Sequence, residues 1–455
     1  MLLLTLLAAG CGGGGEAARE EASRPETRAS KAFGPAPETR KGPLDANLAA
    51  DLEAVLSDLE TIDRRAIWRI GASGDARVAW LVSDLLRFIQ GGAVAEGLVR
   101  SFEQLTGVEL DARERHPGRS WIAITDRLIA WDLAAPPGYV GYKARLFTLV
   151  EPGWAPFFQD RKSDIDWRLV SWGGVNIDDR PLGDPKPCPR GCIRALDEPA
   201  VTDAAGGSWY PNEEIVFGVV VNGRSRAYPK NIMEVHELVN DRLGGRRIGM
   251  PYCTLCASAQ AYFTDRIGDE LLVLRTSGLL SRSNKVMYEL RSKSVFDTFT
   301  GRALAGPLRA AGVTLEQITV VRSTWGAWKE THPETTIVAR DGGIGRDYPE
   351  DPLGGRDDDG PIFPIGDVDP RLPVQEQVVG VIGRDGTPLA FPAAEARAAL
   401  RAGEVVELAG VRLELDGDGL RAMLDDGQEA VSHQAFWFAW SQFHSGSLVW
   451  TRSID

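Results

Sequence analysis

Apolar residues recur at three- and four-residue steps over Leu52, Val55, Leu56, Leu59 and Ile62, a spacing that places them on one helix face. Gly71-Ala-Ser-Gly-Asp75 breaks the period, and a second stretch follows at Ala79, Leu81, Val82, Leu85, Leu86 and Ile89. Residues 44–110 therefore predict two or three antiparallel helices, a HEAT-like region with a packing or spacing role. Residues 111–184 lose the period and become rich in aromatics, among them Trp121, Trp131, Trp154, Trp167 and Trp172, set among Pro and Gly. Such rings most often bury a connection between domains.

From about Trp209 the pattern turns to strands. Ile215–Val221, Asn222-Gly223 and Ser225–Tyr228 form a strand–turn–strand signature, because Asn-Gly suits a tight hairpin. Val235–Asn240 predicts a short helix, and Arg246–Tyr252, Ala257–Thr264 and Leu271–Thr276 predict further strands, with Gly268-Asp269 turning between the last two. The fold class expected is α+β: a helical N-terminal region and a β-rich body.

The chain also echoes itself. Val216–Pro229 resembles Val378–Pro392 with one residue inserted, and Trp325-Gly-Ala-Trp328 with His332 matches Trp437-Phe-Ala-Trp440 with His444 at identical spacing. Two matches in one order suggest an internal, degenerate duplication. It would comprise a core at 185–345, an acidic Gly/Pro-rich loop at 346–370 and a second β-rich copy at 371–455. The later copy has no counterpart of His236, Cys253 or Cys256, so the fold itself would not require the cysteines.

Composition adds the compartment. Residues 1–11, an apolar run ending Ala8-Ala9-Gly10-Cys11, fit a lipoprotein signal peptide with Cys11 as the lipidated residue. The run is too short to span a bilayer. Residues 12–43, rich in Gly, Ala, Glu and Pro, fit a disordered tether. The expected location is thus extracytoplasmic, with the membrane as partner through the anchor alone. A formal charge of −13 argues against nucleic acid.

Only five cysteines occur: Cys11, Cys188 and Cys192 in a C-P-R-G-C segment, and Cys253 and Cys256 in Tyr252-Cys-Thr-Leu-Cys256. The last pair lies between two expected strands, not at the start of a long helix where a thioredoxin would place it.

Several segments around that pair resemble the DUF3179 family. They are Arg226-Ala-Tyr-Pro229, His236-Glu-Leu-Val-Asn-Asp241, Tyr252-Cys-Thr-Leu-Cys256, Ser277-Gly-Leu-Leu280 and Asn284-Lys-Val-Met-Tyr288. Phe299-Thr-Gly301, Ala305-Gly-Pro-Leu308 and the Thr324–Pro333 tryptophan element continue the series. The resemblance covers about Cys188 to Val338, and the Phe436–Trp440 block is similar too. The family is one of unknown function. Some members are described as selenoproteins, with selenocysteine in the motif corresponding to Cys253–Cys256, which implies a nucleophilic or redox-active chalcogen there. This chain departs from the usual pattern at Thr254, where proline is frequent, and at Asp297-Thr298.

Three kinds of chemistry remain open. Cys253 and Cys256 could exchange disulfides with an unknown redox partner or small molecule, with His236 as general base or acidifying neighbour. Copper or zinc could be held by His236, Cys253 and Cys256, or by those two cysteines with Cys188 and Cys192. Alternatively both pairs are structural disulfides, Cys188–Cys192 above all, on a surface binding module.

Overall fold

A computed structural model describes residues 33–267, 270–355 and 360–452. Cys11 and most of the expected tether lie outside these residues, as do the Gly268-Asp269 turn and residues 356–359 of the acidic loop. Among the described residues, no helix is long and apolar enough to cross a membrane.

The N-terminal region is helical, over Ala46–Val55, Arg64–Ala72, Ala79–Phe88, Gly92–Thr106, Arg119–Ala130 and Tyr139–Val150. The first helix stops short of Leu59 and Ile62. Asp58 accepts from the Glu60 N–H at 2.8 Å and the Thr61 hydroxyl, and Asp63 caps a new helix by accepting from the Arg65 N–H at 2.8 Å. Such local carboxylate bonds compete with a continuing helix. The aromatic stretch is helical over Arg119–Ala130 and Tyr139–Val150, and most of its rings are core. Trp121, Phe147, Trp154, Phe157 and Trp167 are buried in one cluster with the helical leucines and with Leu279, Tyr288 and Val295 of the body. Within it, Lys143 Nζ meets Asp84 Oδ1 at 2.6 Å, and Tyr139 donates to the other oxygen at 2.8 Å.

The body is β-rich, as expected for an α+β protein. One five-stranded sheet runs Val321–Thr324, Ile215–Val221, Arg224–Pro229, Thr336–Val338, Val201–Asp203. Asn222 (φ +49°) and Gly223 (φ +72°) make the expected tight turn. The helix predicted at Val235–Asn240 lies earlier, at Lys230–His236, and Leu238–Leu243 is a strand. Glu237 (φ +52°) ends the helix, and pairing with Arg246–Cys253 across Gly244-Gly245 draws the following residues into a ladder. Here the long-range pairing outweighs local helical spacing.

A second sheet has the same connections: Ser432–Phe436, Gln377–Ile382, Pro388–Pro392, Leu448–Val449. In both sheets a central hairpin is flanked by one antiparallel and one parallel strand. The ends of the echoed segments pair with each other, Val216 with Pro229 and Val378 with Pro392. In both sheets a tryptophan helix follows the flanking strand, with the first Trp N–H bonded at 2.8 Å to the carbonyl of Glu214 or Glu376. The second Trp donates Nε1–H to Thr335 at 3.0 Å or to Ser447 at 2.9 Å. Its ring also covers a strand glycine: an added Cβ at Gly218 would overlap Trp328, and one at Gly380 would overlap Trp440. Gly380→Ala is therefore expected to destabilise the protein by about 1–3 kcal/mol or more, because Trp440 is fully enclosed and the ring has nowhere to go. Urea unfolding of the variant checks this.

The two units differ between the hairpin that follows the first helix and the flanking strand. In the first, the span from Cys253 to Val321 holds the short Ser258–Ala259 and Ala261–Phe263 strands and four strands, built on Leu274–Ser281 and Asn284–Glu289, of a five-stranded sheet whose fifth strand is Val170–Trp172. In the second, only Glu429–Ala430 intervenes between Gly419–Leu424 and Ser432–Phe436.

Candidate functional site

Cys253 ends the Arg246–Cys253 strand, and a single helical turn, Thr254–Cys256, carries the second cysteine. Ala257 (φ +45°) then reverses the chain so that Ser258 pairs back with Cys253. Both cysteines are free and buried, at 2% and 0% exposure. Their sulfurs converge on one acceptor, the Ser283 carbonyl, at 3.5 Å from Cys253 Sγ and 3.6 Å from Cys256 Sγ. Arg282 (φ +47°) and Ser283 (φ +73°) form the tight turn that presents this carbonyl. Glu237, Ala257, Arg282 and Ser283 are four of the non-glycine residues with left-handed backbone, and all four adjoin the cysteine turn or its contacts. Each such residue costs of order 1 kcal/mol or more, and such strain concentrates at functional sites.

The two thiols are not equivalent. Burial pushes the Cys256 thiol up, and the neighbouring Cys253 sulfur pushes it further. Burial also opposes ionisation of Cys253. The neighbouring Cys256 thiol, the Lys285 backbone N–H and the Lys285 charge outweigh it, and the Cys253 thiol falls below its ordinary value. Glu237 opposes this shift. Its Oε2 lies 2.5 Å from Lys285 Nζ, and its Oε1 accepts from the Thr254 hydroxyl at 3.3 Å. Lys285→Met should therefore raise the Cys253 pKa and slow thiolate formation at neutral pH, read from the pH dependence of thiolate ultraviolet absorbance. Its stability cost should fall below the ~3–5 kcal/mol of a fully buried broken pair, since the Glu237 side chain keeps 17% exposure.

Thr254, Leu255, Glu237 and Lys285 line a cavity of about 430 Å³. The cysteines lie behind that wall. They pack in a core with Phe299, Ile365, Trp437, Phe438 and Trp440, so the second sheet unit covers their far side.

His236 is not brought to the sulfurs as expected. Its Nδ1 lies 2.6 Å from the Arg194 carbonyl, and its Nε2 lies 2.7 Å from the Tyr348 hydroxyl. A carbonyl can only accept, so Nδ1 carries the proton and Nε2 accepts from tyrosine. Burial pushes the His236 pKa down to about 4, leaving a neutral ring with both nitrogens engaged. The adjacent Glu237, its chain turned by the left-handed backbone, reaches the cysteine turn instead.

Cys188 and Cys192 are joined as a disulfide, with Cα atoms 5.6 Å apart. Their loop is tied down by Arg190, which meets the buried Glu151, and by the Arg190 carbonyl, which accepts from Asn176 Nδ2 at 2.7 Å. Neither proposed metal set is assembled. Among the described residues, the one group of three or more His, Cys, Asp or Glu ligand atoms within 4.8 Å of one another is Asp178, Cys188 and Cys192. In the disulfide form these sulfurs offer no thiolate. Asp178 is already engaged by Arg180 Nε at 2.8 Å and the Ala195 N–H at 2.9 Å. Sequence reasoning did not single out Glu237, Ser283 or Lys285, although Glu237 and Lys285 fall within the segments quoted above for the family resemblance.

The fold and site thus define an α+β protein with a buried dithiol at a charged cavity wall. The family model described as "Protein of unknown function (DUF3179)" matches residues 190–418, and the chain belongs to that family. No curated protein and no solved structure matches the chain.

Proposed function

We propose that the protein is an exported, lipid-anchored thiol oxidoreductase in which Cys253 and Cys256 form the redox couple. The observation that carries this reading is the unequal pair of free thiols at the Ser283 carbonyl, with Cys253 favoured as thiolate beside Lys285. The Cys253 thiolate would attack one sulfur of a disulfide substrate, forming a mixed disulfide and expelling the other sulfur as thiolate. Cys256 would then attack Cys253 Sγ, expelling the second substrate thiolate and closing an internal disulfide. One substrate disulfide becomes two thiols, the protein dithiol supplies both electrons, and the Cys256 proton passes to a leaving thiolate. The anchor rests on the Ala8–Cys11 signal alone.

We also infer that 371–452 is a degenerate second copy of the first sheet unit. The shared connections, the equivalent Val–Pro register and the two Trp-on-Gly contacts support it. The cysteine turn and four of the five strands of the sheet beyond it then belong to an insertion in the first copy, which favours a role in chemistry over a role in folding.

Equilibration of the full chain in thiol–disulfide buffers, followed by acid quenching and mass spectrometry, tests the redox reading. The expected result is loss of two hydrogens from the peptide holding Cys253 and Cys256, and a mixed disulfide trapped on Cys253 in Cys256→Ser. A pair that stays reduced throughout, with no trapped adduct, would falsify it. A second reading, soft-metal binding, is favoured by the Asp178, Cys188 and Cys192 grouping. It requires reduction of that disulfide, and copper or zinc bound by reduced but not oxidised protein would support it.

A further inference from the structure

The wall of the cavity away from the cysteine turn carries Arg87, from the Ala79–Phe88 helix. Its guanidinium sits over Trp121 at 4.5 Å, Trp172 at 5.0 Å and Phe363 at 5.3 Å from the ring centroids. Nε donates to the Trp172 carbonyl at 2.6 Å, which fixes the plane of the group. Among the described residues, no carboxylate pairs with Arg87, and neither Nη has a hydrogen-bond acceptor. Every other charge on the cavity wall is matched: Lys285 by Glu237, and Glu234 by Lys230.

The energies make this arrangement informative. Arg87 is half-buried, and taking a guanidinium fully out of water would cost several kcal/mol, so its partial burial costs a part of that. Three ring faces return roughly 0.5–2 kcal/mol each at best. Burial accordingly pushes the Arg87 pKa down to about 10, with no acidic neighbour to oppose it, yet the group stays charged at neutral pH. A structural cross-link would need only the Nε bond to Trp172. Aromatic packing that holds a charged fork with its two Nη groups unused is instead pre-organised for a planar anion. The rest of the wall is mostly apolar, with Leu255, Leu279, Leu280, Val286 and Ile362. The volume of about 430 Å³ falls within the ~300–1,000 Å³ of small-molecule sites.

We propose that this cavity binds a small monocarboxylate with an apolar body, its carboxylate on the Arg87 guanidinium and its body against the leucine-lined wall. The single unmatched positive charge calls for a single negative charge, and the fork geometry favours two coplanar oxygens. The inference stands apart from the redox reading, since it uses neither sulfur.

Calorimetry and tryptophan fluorescence with octanoate, octanol and inorganic phosphate as probes test it on the full chain. Trp121 and Trp172 flank the guanidinium, so occupancy should alter their emission. Expected are saturable single-site binding of octanoate, none of octanol or phosphate, and affinity about tenfold weaker or worse in Arg87→Met. Arg87→Lys, which keeps the charge and loses the fork, should fall between. Val175→Phe adds bulk to the cavity wall and keeps Arg87, so its loss of octanoate binding, measured by calorimetry, is read even if Arg87→Met fails to fold. Octanol binding as well as octanoate, phosphate binding in its place, an affinity unchanged by both substitutions, or no saturation by octanoate would each overturn the proposal.

Discussion

Acidification from about pH 6.5 to about 4 is expected to remove much of the protein's stability, through three histidines held in the neutral form, His236 and His433 buried and His444 half-buried. Burial pushes His236 and His444 down to about 4 and His433 to about 3, with His444 adding to the shift at His433. In the unfolded chain each takes up its proton near 6.5. Between the two values the unfolded state binds more protons, so stability is full above about pH 6.5 and is lost as pH falls through the window. The shifts correspond to roughly 3 kcal/mol each for His236 and His444 and nearer 5 for His433. Even halved by relaxation, the total is comparable with the ~5–15 kcal/mol that typically holds a domain together. Asp126 works the other way. Burial raises its pKa to about 6 although it accepts the Ile365 and Gly366 N–H groups at 2.8 Å each, so protonation favours the folded state below that pH. Asp84 and Asp297, raised by burial, oppose the histidines likewise. Urea unfolding at stepped pH should show net proton uptake of about two per molecule or fewer, three from the histidines less about one held by Asp126 in the fold and a further part held by Asp84 and Asp297. His433→Gln should reduce that slope by about one proton. An unfolding midpoint flat across this window would contradict the burial of these rings in neutral form.

The sequence pattern reached furthest where local chemistry and long-range packing agree. The Asn222-Gly223 turn and the repeated Trp-x-x-Trp element follow from residues whose geometry is nearly forced: a tight turn needing left-handed backbone, and rings that must be buried. It failed where the two conflict. Leu59 and Ile62 keep helical spacing, but Asp58 and Asp63 spend their oxygens on turns and caps. Leu238 and Val239 could continue a helix, but a strand partner twelve or so residues on claims them. At the site, the cysteines were found by their rarity. Their electrostatic neighbours were not, because Lys285 and Ser283 come from a different hairpin and Glu237 is placed by one left-handed residue. His236 was expected near the sulfurs because it precedes them in a shared motif. Sequence order carries no information on which way an imidazole faces, and the Arg194 carbonyl and Tyr348 hydroxyl decide that. Arg87 lies in a helical stretch whose period reveals only the apolar face.

Phe438→Ala should accelerate alkylation of Cys253 and Cys256 in the native protein by far more than a mutation of equal cost elsewhere. Phe438 is fully buried in the cluster that encloses the cysteines, on the Trp437–Phe443 helix of the second sheet unit. Emptying such a site costs about 3–5 kcal/mol. If the second unit opens as its own cooperative segment, that cost comes off its local opening energy, and the open population rises by about 10²–10³-fold. The comparison variant is Phe102→Ala. Phe102 is equally buried but belongs to the helical core, which the cysteine cluster does not share. It should lower global stability to a similar degree while exposing the thiols only through complete unfolding. Alkylation rates measured by mass spectrometry in native buffer, set against urea-derived stabilities, separate the two cases. Equal rates for variants of equal stability would mean that the cysteines open only with the whole molecule. A selective increase for Phe438→Ala would make the second unit the cover of the dithiol, and movement of that cover the step that admits a disulfide substrate.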